Sequence, residues 1–376
     1  MSETIFSIEP RLPPAVCGVG TYGWALAQHW PEPRSRFVHL VVDGAEASRR
    51  LLGSGDVFET GESAANLVSR LEESPGAGVI VHYASRGFQR LGCPFWLSRG
   101  LARWRRRHPD ARMLVFFHEV AQRLPLTNHH GILQWINRVI TRRLARTANG
   151  IATNTPEHSA RLEEITGRRD VLCLPVPTNI PAPEKVDGSF AHRAAKDFVV
   201  FGVPFTQLLT LRHFAAELAE WYKAGVLARL HLIGPSDEKF SPQTDALLAG
   251  MLPAGAVVRH GVLDAPQVSE VLSSAGFFLT QSNEENFSKS GTFAAFAAHA
   301  CAVVSTMKPV REPFTHLIHP AEVASAVMKM DLAAFAQRAC ALCEWYRRES
   351  DWPVVAARYA RVFEPSTQRT PPGGAK

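Results

Sequence analysis

Short β-branched or aromatic runs alternate with amphipathic stretches along the chain. IFSIEP (5–10) precedes a helical pattern starting at Thr21, FVHLVVD (37–43) one over 61–73, and GVIVHYA (78–84) one over 94–107. RMLVFFHE (112–119) precedes a pattern over 131–146, GIATNT (150–155) one over 157–166, and VLCLPV (171–176) closes the series. Strands alternating with helices build βαβ units and therefore a parallel sheet. The next segment, PVPTNIPAPEKVDGSFAHRAAK, has four prolines and no usable period, which marks a linker.

The rhythm then restarts. FVVFG (198–202), RLHLIG (229–234), AVVRHGVL (256–263), FFLTQS (277–282) and AVVST (302–306) read as strands. Helical patterns occupy about 208–223, 241–251, 266–275 and 289–300, and two more cover 332–348 and Trp352–Phe363. At roughly 150 residues per domain, 376 residues predict two α/β domains of doubly wound, Rossmann-like type. The expected boundaries are 1–177, 178–350, a terminal helix over 351–364, and a disordered tail over 365–376.

With 46% hydrophobic and 20% charged residues, composition excludes disordered and collagen-like classes. There is no uncharged apolar run long enough to span a bilayer, and MSETIFSIEP carries neither a basic nor an apolar leader region. The expectation is a cytoplasmic protein. Six scattered cysteines suit a reducing compartment, and Cys340-x-x-Cys343 lacks the second pair that a zinc site needs, so no metal is expected.

The net charge of +6 is unevenly spread: residues 86–146 hold 13 arginines and no lysine against Asp110 and Glu119. Leu97, Leu101 and Trp104 line one face of a helix, with Arg99, Arg103 and Arg106 opposite. Leu133, Ile136, Ile140 and Leu144 repeat the design, opposed by Arg138, Arg142 and Arg146. Two readings stand: a solvated arginine face, or peripheral docking to anionic lipid headgroups at the inner face of the cell membrane. Nucleic acid is not expected, because no binding motif or stacking platform accompanies the charge.

Ligands of doubly wound sheets bind at the carboxyl ends of strands, so the loops there are the candidate sites. Cys17-Gly18-Val19-Gly20-Thr21-Tyr22-Gly23 contains G-x-G-x-x-G, and Asp43 follows 20 residues beyond Gly23. A nicotinamide or flavin enzyme, a structural glycine turn and a phosphate loop of another kind all fit. In the second loop, Ser282–Gly291, Ser288 is a plausible N-cap, Lys289 adds charge at a helix N-terminus, and Glu285 can accept from sugar hydroxyls. The third candidate is His118, at the end of an apolar strand, which is either a satisfied core residue or an acid–base group. The pairs His129-His130 and His316-x-x-His319 read as structural or surface groups.

Taken together these segments resemble the GT-B glycosyltransferases, in particular the retaining, nucleotide-sugar-dependent group that builds bacterial polysaccharides and glycolipids. PPAVCGVGTY resembles the family's glycine-rich loop of the N-terminal domain, FFHE its strand-end histidine and TPEHSARL its post-strand helix. HGVLDAPQVSEVLSSAGFFLTQSNEENFSKSGTFAAFAAHACAVVS resembles its donor signature, and SDWPVVAARYARVF the terminal helix that crosses back to the first domain.

The resemblance implies two Rossmann-like domains facing across a cleft. It also implies transfer of a sugar from a nucleoside diphosphate sugar to a hydroxyl acceptor, a glycan or lipid-linked saccharide, without metal or other cofactor. Carried over by position, Gly18 and Gly20 approach the diphosphate, His118 contacts the donor sugar, Glu285 binds its hydroxyls, and Val262 and Leu263 flank the base. Asn286, Phe287, Ser288, Lys289 and Ser290 complete the donor loop. The chain departs from the family where an arginine and a lysine usually follow the first strand of the second domain. FGVPFTQLLTLRHF supplies only Arg212 there, so the diphosphate is expected to lean on Arg212 and Lys289. No acidic residue stands at Phe293 to Ala295, Ala300 replaces the usual glycine, and Cys17 replaces the first glycine of the N-terminal loop. A catalytically silent homologue acting as a binding or scaffold subunit is the main alternative. Other nucleotide-sugar enzymes of the fold, such as epimerases, and a nicotinamide oxidoreductase follow it.

Overall fold

The structure, a computed structural model, describes residues 4–184, 186 and 189–364. The expected tail over 365–376 lies outside the described residues. Two compact units divide the chain: one runs through Pro175 and resumes at Trp352, the other is Val176–Asp351.

The first unit contains seven strands, all parallel: β1 (Thr4–Glu9), β2 (Arg36–Val41), β3 (Val57–Glu59), β4 (Gly78–Tyr83), β5 (Met113–Phe117), β6 (Gly150–Thr153) and β7 (Val171–Cys173). They are ordered β3-β2-β1-β4-β5-β6-β7. Its helices are α1 (Gly18–Gln28), α2 (Ala45–Leu52), α3 (Ala64–Glu72), α4 (Ser85–Phe88), α5 (Phe95–Arg107), α6 (His129–Thr147) and α7 (Pro156–Thr166). The second unit opens with β8 (Ala194–Phe201), α8 (Pro204–His213), α9 (Ala215–Lys223), β9 (Arg229–Ile233), α10 (Ser241–Ala249) and β10 (Val257–Gly261). It continues with α11 (Ala265–Ser274), β11 (Ala275–Leu279), α12 (Gly291–Ala298), β12 (Ala302–Val304), α13 (Pro320–Lys329) and α14 (Ala333–Glu349). Helix α15 (Trp352–Ala360) belongs to the first unit. The second sheet is also parallel, ordered β10-β9-β8-β11-β12. Both orders reverse direction beside the first strand of the unit, between β1 and β4 and between β8 and β11, which is the doubly wound pattern.

Local chemistry explains the helix ends. The Thr155 side chain accepts from the His158 amide with Pro156 in the first turn, and Gly167 ends α7 in the left-handed region. Asp264 and Gln267 form a capping box on α11. Leu97, Leu101 and Trp104 of α5 are fully buried with Leu67 and Leu71 of α3 in the core beside β4 and β5. The second sheet has a core on each face, one built around Phe198, Val200 and Leu232, the other around Val199, Phe278 and Phe296. Cys340 is half-buried and Cys343 buried on α14 with its thiol on the Ala298 carbonyl, and neither is in a disulfide.

Several details depart from the sequence expectation, among them the unforeseen helices α4 and α13. Strand β3 and helix α2 had no signal, because a three-residue edge strand has no period and only Ala45 and Ser48 of α2 are buried. The single helix expected over 208–223 is two, α8 and α9, broken at Phe214, whose ring is fully buried. Helix α1 begins at Gly18 rather than Thr21, so the presumed glycine loop is the helix's own first turn.

Candidate functional site

At the carboxyl edge of the second sheet, the three strands β8, β9 and β10 each end at a glycine. The Gly202 amide donates to the Ile233 carbonyl at 3.0 Å, and the Gly234 amide to the Gly261 carbonyl at 2.9 Å. All three glycines have positive φ (151°, 135° and 66°), and a β-carbon on Gly234 would collide with the Gly202 carbonyl. Gln207 of α8 ties this rim together, its Nε2 donating to the carbonyls of Gly202 (2.9 Å) and Ile233 (3.0 Å). Val203, Phe205 and Val262 stand exposed around it, and the Phe205 ring meets Phe240 at 5.1 Å. The result is a backbone shelf without side chains, bordered by apolar groups. Sequence reading singled out Val262 and Leu263 here but missed the glycine rim, whose signal was a glycine after each of three successive strands.

The loop after β11 is held by paired asparagines. The Asn286 Oδ1 accepts from the Asn283 amide at 3.0 Å, and the Asn283 Oδ1 accepts from the Asn286 amide at 3.0 Å and the Glu285 amide at 3.1 Å. Glu285 and Lys289 are thereby presented to solvent. The N-cap of α12 is Ser290, whose hydroxyl accepts from the Phe293 amide at 3.1 Å; the expected cap, Ser288, is displaced by one short helical turn over Phe287–Lys289. Ser288 is buried and its carbonyl accepts from the Val176 amide at 2.7 Å. Phe287 packs on Phe293, Phe314 and Trp345. These two residues shape the loop from within, whereas Glu285, Lys289 and the first amides of α12 form its outer surface.

Arg212, expected within one long helix, is in the last turn of α8, just before the break at Phe214 that separates α8 from α9. Its guanidinium donates to Gln243 Oε1 at 3.0 Å, and the neighbouring His213 is 2.8 Å from the Thr306 hydroxyl, beyond the carboxyl end of β12. Arg212 is thus near the carboxyl edge of the second sheet, as an exposed cation held by α10.

A second polar group in this unit was not foreseen. Asp197 of β8 accepts from Arg229 (2.7 Å) and pairs with His231 Nε2 (3.1 Å), while His231 Nδ1 is 2.9 Å from His260 Nε2. Burial, then the neighbouring His231, hold the His260 imidazole below its ordinary pKa. These groups line a cavity of about 450 Å³ with Leu263, Gln267 and Glu270.

In the first unit, Cys17 is the N-cap of α1, its sulfur accepting from the Gly20 amide at 3.5 Å. Gly20 is buried against the Arg11 carbonyl, which a β-carbon would overlap, so its role is to let α1 approach the chain beneath. Gly18 is exposed with open space around it. The two glycines expected to act together therefore differ in setting: Gly18 is exposed and Gly20 is buried.

His118 follows β5 and is 8% exposed. Its Nε2 is 3.2 Å from Nδ1 of the fully buried His82, and its ring meets Tyr22 edge-on at 5.1 Å. Burial pulls the His82 imidazole down to about 3.

The arginine faces also part. Arg138 pairs with Glu164 at 2.8 Å and Arg142 donates to the Ile165 carbonyl at 2.7 Å, so half-buried Arg138 and exposed Arg142 of α6 bind α7. Arg99, Arg103 and Arg106 of α5 and Arg146 are exposed. Exposed Leu124, Leu126, Ile132 and Trp135 cluster along the approach to α6 and its first turns. No helix among the described residues is long and apolar enough to cross a membrane.

No protein-family model matches the sequence, and no curated protein is similar to it in sequence. Solved structures are similar over nearly the whole chain. Anabaena HepE in complex with UDP is 11% identical with a TM-score of 0.65, covering 96% of this chain and 99% of that one. A glycosyltransferase from Rickettsia africae is 10% identical with a TM-score of 0.63, covering 97% and 100%. The N-terminal domain of Candida albicans trehalose-6-phosphate phosphatase is 10% identical with a TM-score of 0.60, covering 96% and 97%. The class of protein this defines is one of fold: the chain has the GT-B fold, two parallel-sheet α/β units, shared with HepE solved with UDP or UDP-glucose and with an alpha-glucosyltransferase solved with UDP.

Proposed function

We propose that this chain is a glycosyltransferase that moves a sugar from a nucleoside diphosphate sugar to a hydroxyl of a glycan or lipid-linked saccharide, with retention at the anomeric carbon. The observation that carries the reading is the second unit's switch point. Beside β8 and β11 it combines the glycine rim, the Ser290-capped N-terminus of α12 and the exposed charge of Lys289. Free amides and a helix dipole suit a diphosphate, and a lysine adds a full charge as the anomeric C–O bond to the phosphate breaks. In this reading the leaving group needs no divalent cation. Gly18, Lys289, Ser290 and Arg212 serve the diphosphate, Val262 and Leu263 the base, and His118 and Glu285 the donor sugar. UDP bound to HepE, and the UDP-glucose complex of the same protein, support a uridine nucleotide as the first donor to try.

A panel of nucleoside diphosphates tests this: at 100 times Kd, binding to the folded state alone adds about 2.7 kcal/mol, which raises Tm by several degrees. Absence of any shift rejects the donor site. The silent-subunit reading is favoured by one observation, that the same fold forms the N-terminal domain of a phosphatase. Nucleotide binding without turnover of any UDP-sugar would decide for it.

The acceptor side is read as a peripheral membrane contact. Exposed Arg99, Arg103 and Arg106 with exposed Ile132 and Trp135 combine headgroup charge with interfacial apolar groups.

A further inference from the structure

Four adjacent strands of the first unit carry a row of buried polar side chains on one face. Glu9 ends β1 and is fully buried. His39 Nδ1 stands 3.2 Å from its Oε1, and the Ser7 hydroxyl donates to the same oxygen. The register pairs Ile8 with Val81, so the next residues, Glu9 and His82, are side by side on β1 and β4. His82 in turn meets His118 after β5. Among the described residues, Glu9 Oε2 and His82 Nε2 are buried atoms without a hydrogen-bond partner, and they belong to neighbours.

The partners fix the protons. Glu9 is held as a carboxylate: burial opposes this, but the adjoining His39 and the Ser7 hydroxyl outweigh it and lower its pKa. A carboxylate only accepts, so Nδ1 of His39 carries its proton. His82 is neutral and has one N–H to place. With that proton on Nδ1, the lone pair of Nε2 would face the Glu9 charge in a low-dielectric interior. With the proton on Nε2, the N–H dipole points toward the carboxylate instead. The second tautomer makes Nδ1 of His82 an acceptor, which requires His118 to donate from Nε2.

We propose that Glu9 and His82 are positioning residues that hold His118 in its Nε2–H tautomer, leaving Nδ1 as the basic nitrogen of that ring. The groups packed around the row, Tyr22 of α1, Phe116 of β5 and Tyr359 of α15, are aromatic, and the Tyr359 hydroxyl donates to that of Tyr22 at 3.2 Å. Both phenols are pushed above their ordinary pKa by burial, so neither supplies a competing charge at neutral pH. Gly23 of α1 covers Glu9, which closes the row from that side.

The tautomer is independent of any activity, whereas its catalytic consequence rests on the glycosyl-transfer reading above. The test is nitrogen-resolved NMR of the histidine rings in the ¹⁵N-labelled full chain at pH 7. The expected result is Nε2–H for both His82 and His118. Glu9→Gln removes the charge and offers an amide N–H to His82 Nε2, so the His118 signals should move toward the Nδ1–H form. An Nδ1–H tautomer of His118 in the unaltered chain overturns the proposal, as does a His118 spectrum unchanged by Glu9→Gln. If that variant does not fold, the unaltered chain alone decides. Where UDP-glucose turnover is measurable, Glu9→Gln should lower kcat about tenfold at unchanged KM. The expected tautomers without turnover would leave the relay standing and remove only the glycosyl-transfer reading.

Discussion

Gly23 and Glu9 are in direct contact: a β-carbon on Gly23 would overlap Oε1 of the buried carboxylate and stand 2.9 Å from its Cγ. Neither side can yield, because Glu9 is fixed by Ser7 and His39 and Gly23 is within α1. Gly23→Ala should therefore destabilise the first unit by about 3 kcal/mol, at the upper end for overpacking. Urea unfolding measures it, and a loss under about 0.5 kcal/mol, the range of an inert surface change, would contradict this packing.

Gly18 makes the opposite prediction. No atom stands within 4 Å of the position its β-carbon would take. Gly18→Ala should leave stability within about 0.5 kcal/mol. If the backbone there approaches a diphosphate, the same variant weakens the UDP-induced rise in Tm, and an undiminished rise would remove Gly18 from the donor site.

The displaced cap of α12 separates structural from chemical roles in one loop. Ser290→Ala should cost about 1 kcal/mol of stability through loss of the bond to the Phe293 amide. Lys289→Ala and Glu285→Ala, both at exposed positions, should fold normally and lower turnover on the order of 10²-fold. Wild-type rates in both variants would refute their assignment to the donor loop.

Acid should unfold the protein partly through His82. Its folded pKa of about 3 is below the ordinary 6.5, so below pH 6.5 the unfolded chain takes up a proton that the folded one refuses. Stability then falls as pH drops from 6.5 toward 3, by about 1.4 kcal/mol at pH 5.5 from this group. Glu9, lowered in the folded state, adds to the loss only at more acidic pH. Chemical denaturation of His82→Phe between pH 7 and 5.5 should show a shallower decline than the unaltered chain; parallel curves would contradict it.

The lipid contact has a geometric control. Replacing Arg99, Arg103 and Arg106 by glutamine should reduce sedimentation with anionic vesicles several-fold at low salt, each charge contributing about 1 kcal/mol. Replacing Arg138 and Arg142, which bind α7, should instead cost stability. Vesicle binding that is absent, or insensitive to salt, would reject the surface.

The fold was largely legible in the chain, because short continuous β-branched or aromatic runs mark strands buried on both faces and amphipathic runs of period 3.6 mark helices, and eleven of the strands overlap such runs. The sequence also placed His118 just after a strand and Glu285 and Lys289 in the loop between a strand and a helix, as the structure has them. It could not tell Gly18 from Gly20, since what separates them is the Arg11 carbonyl from a distant turn of chain. It could not divide the arginines of α5 from those of α6, because Glu164 and Ile165 come from α7. The buried row Glu9, His39, His82 and His118 is spread over more than a hundred residues and is assembled only by the order β2-β1-β4-β5. Periodicity encodes which face of an element is buried, whereas the partner that a buried polar group meets depends on strand order and register, and those are set by the packed structure.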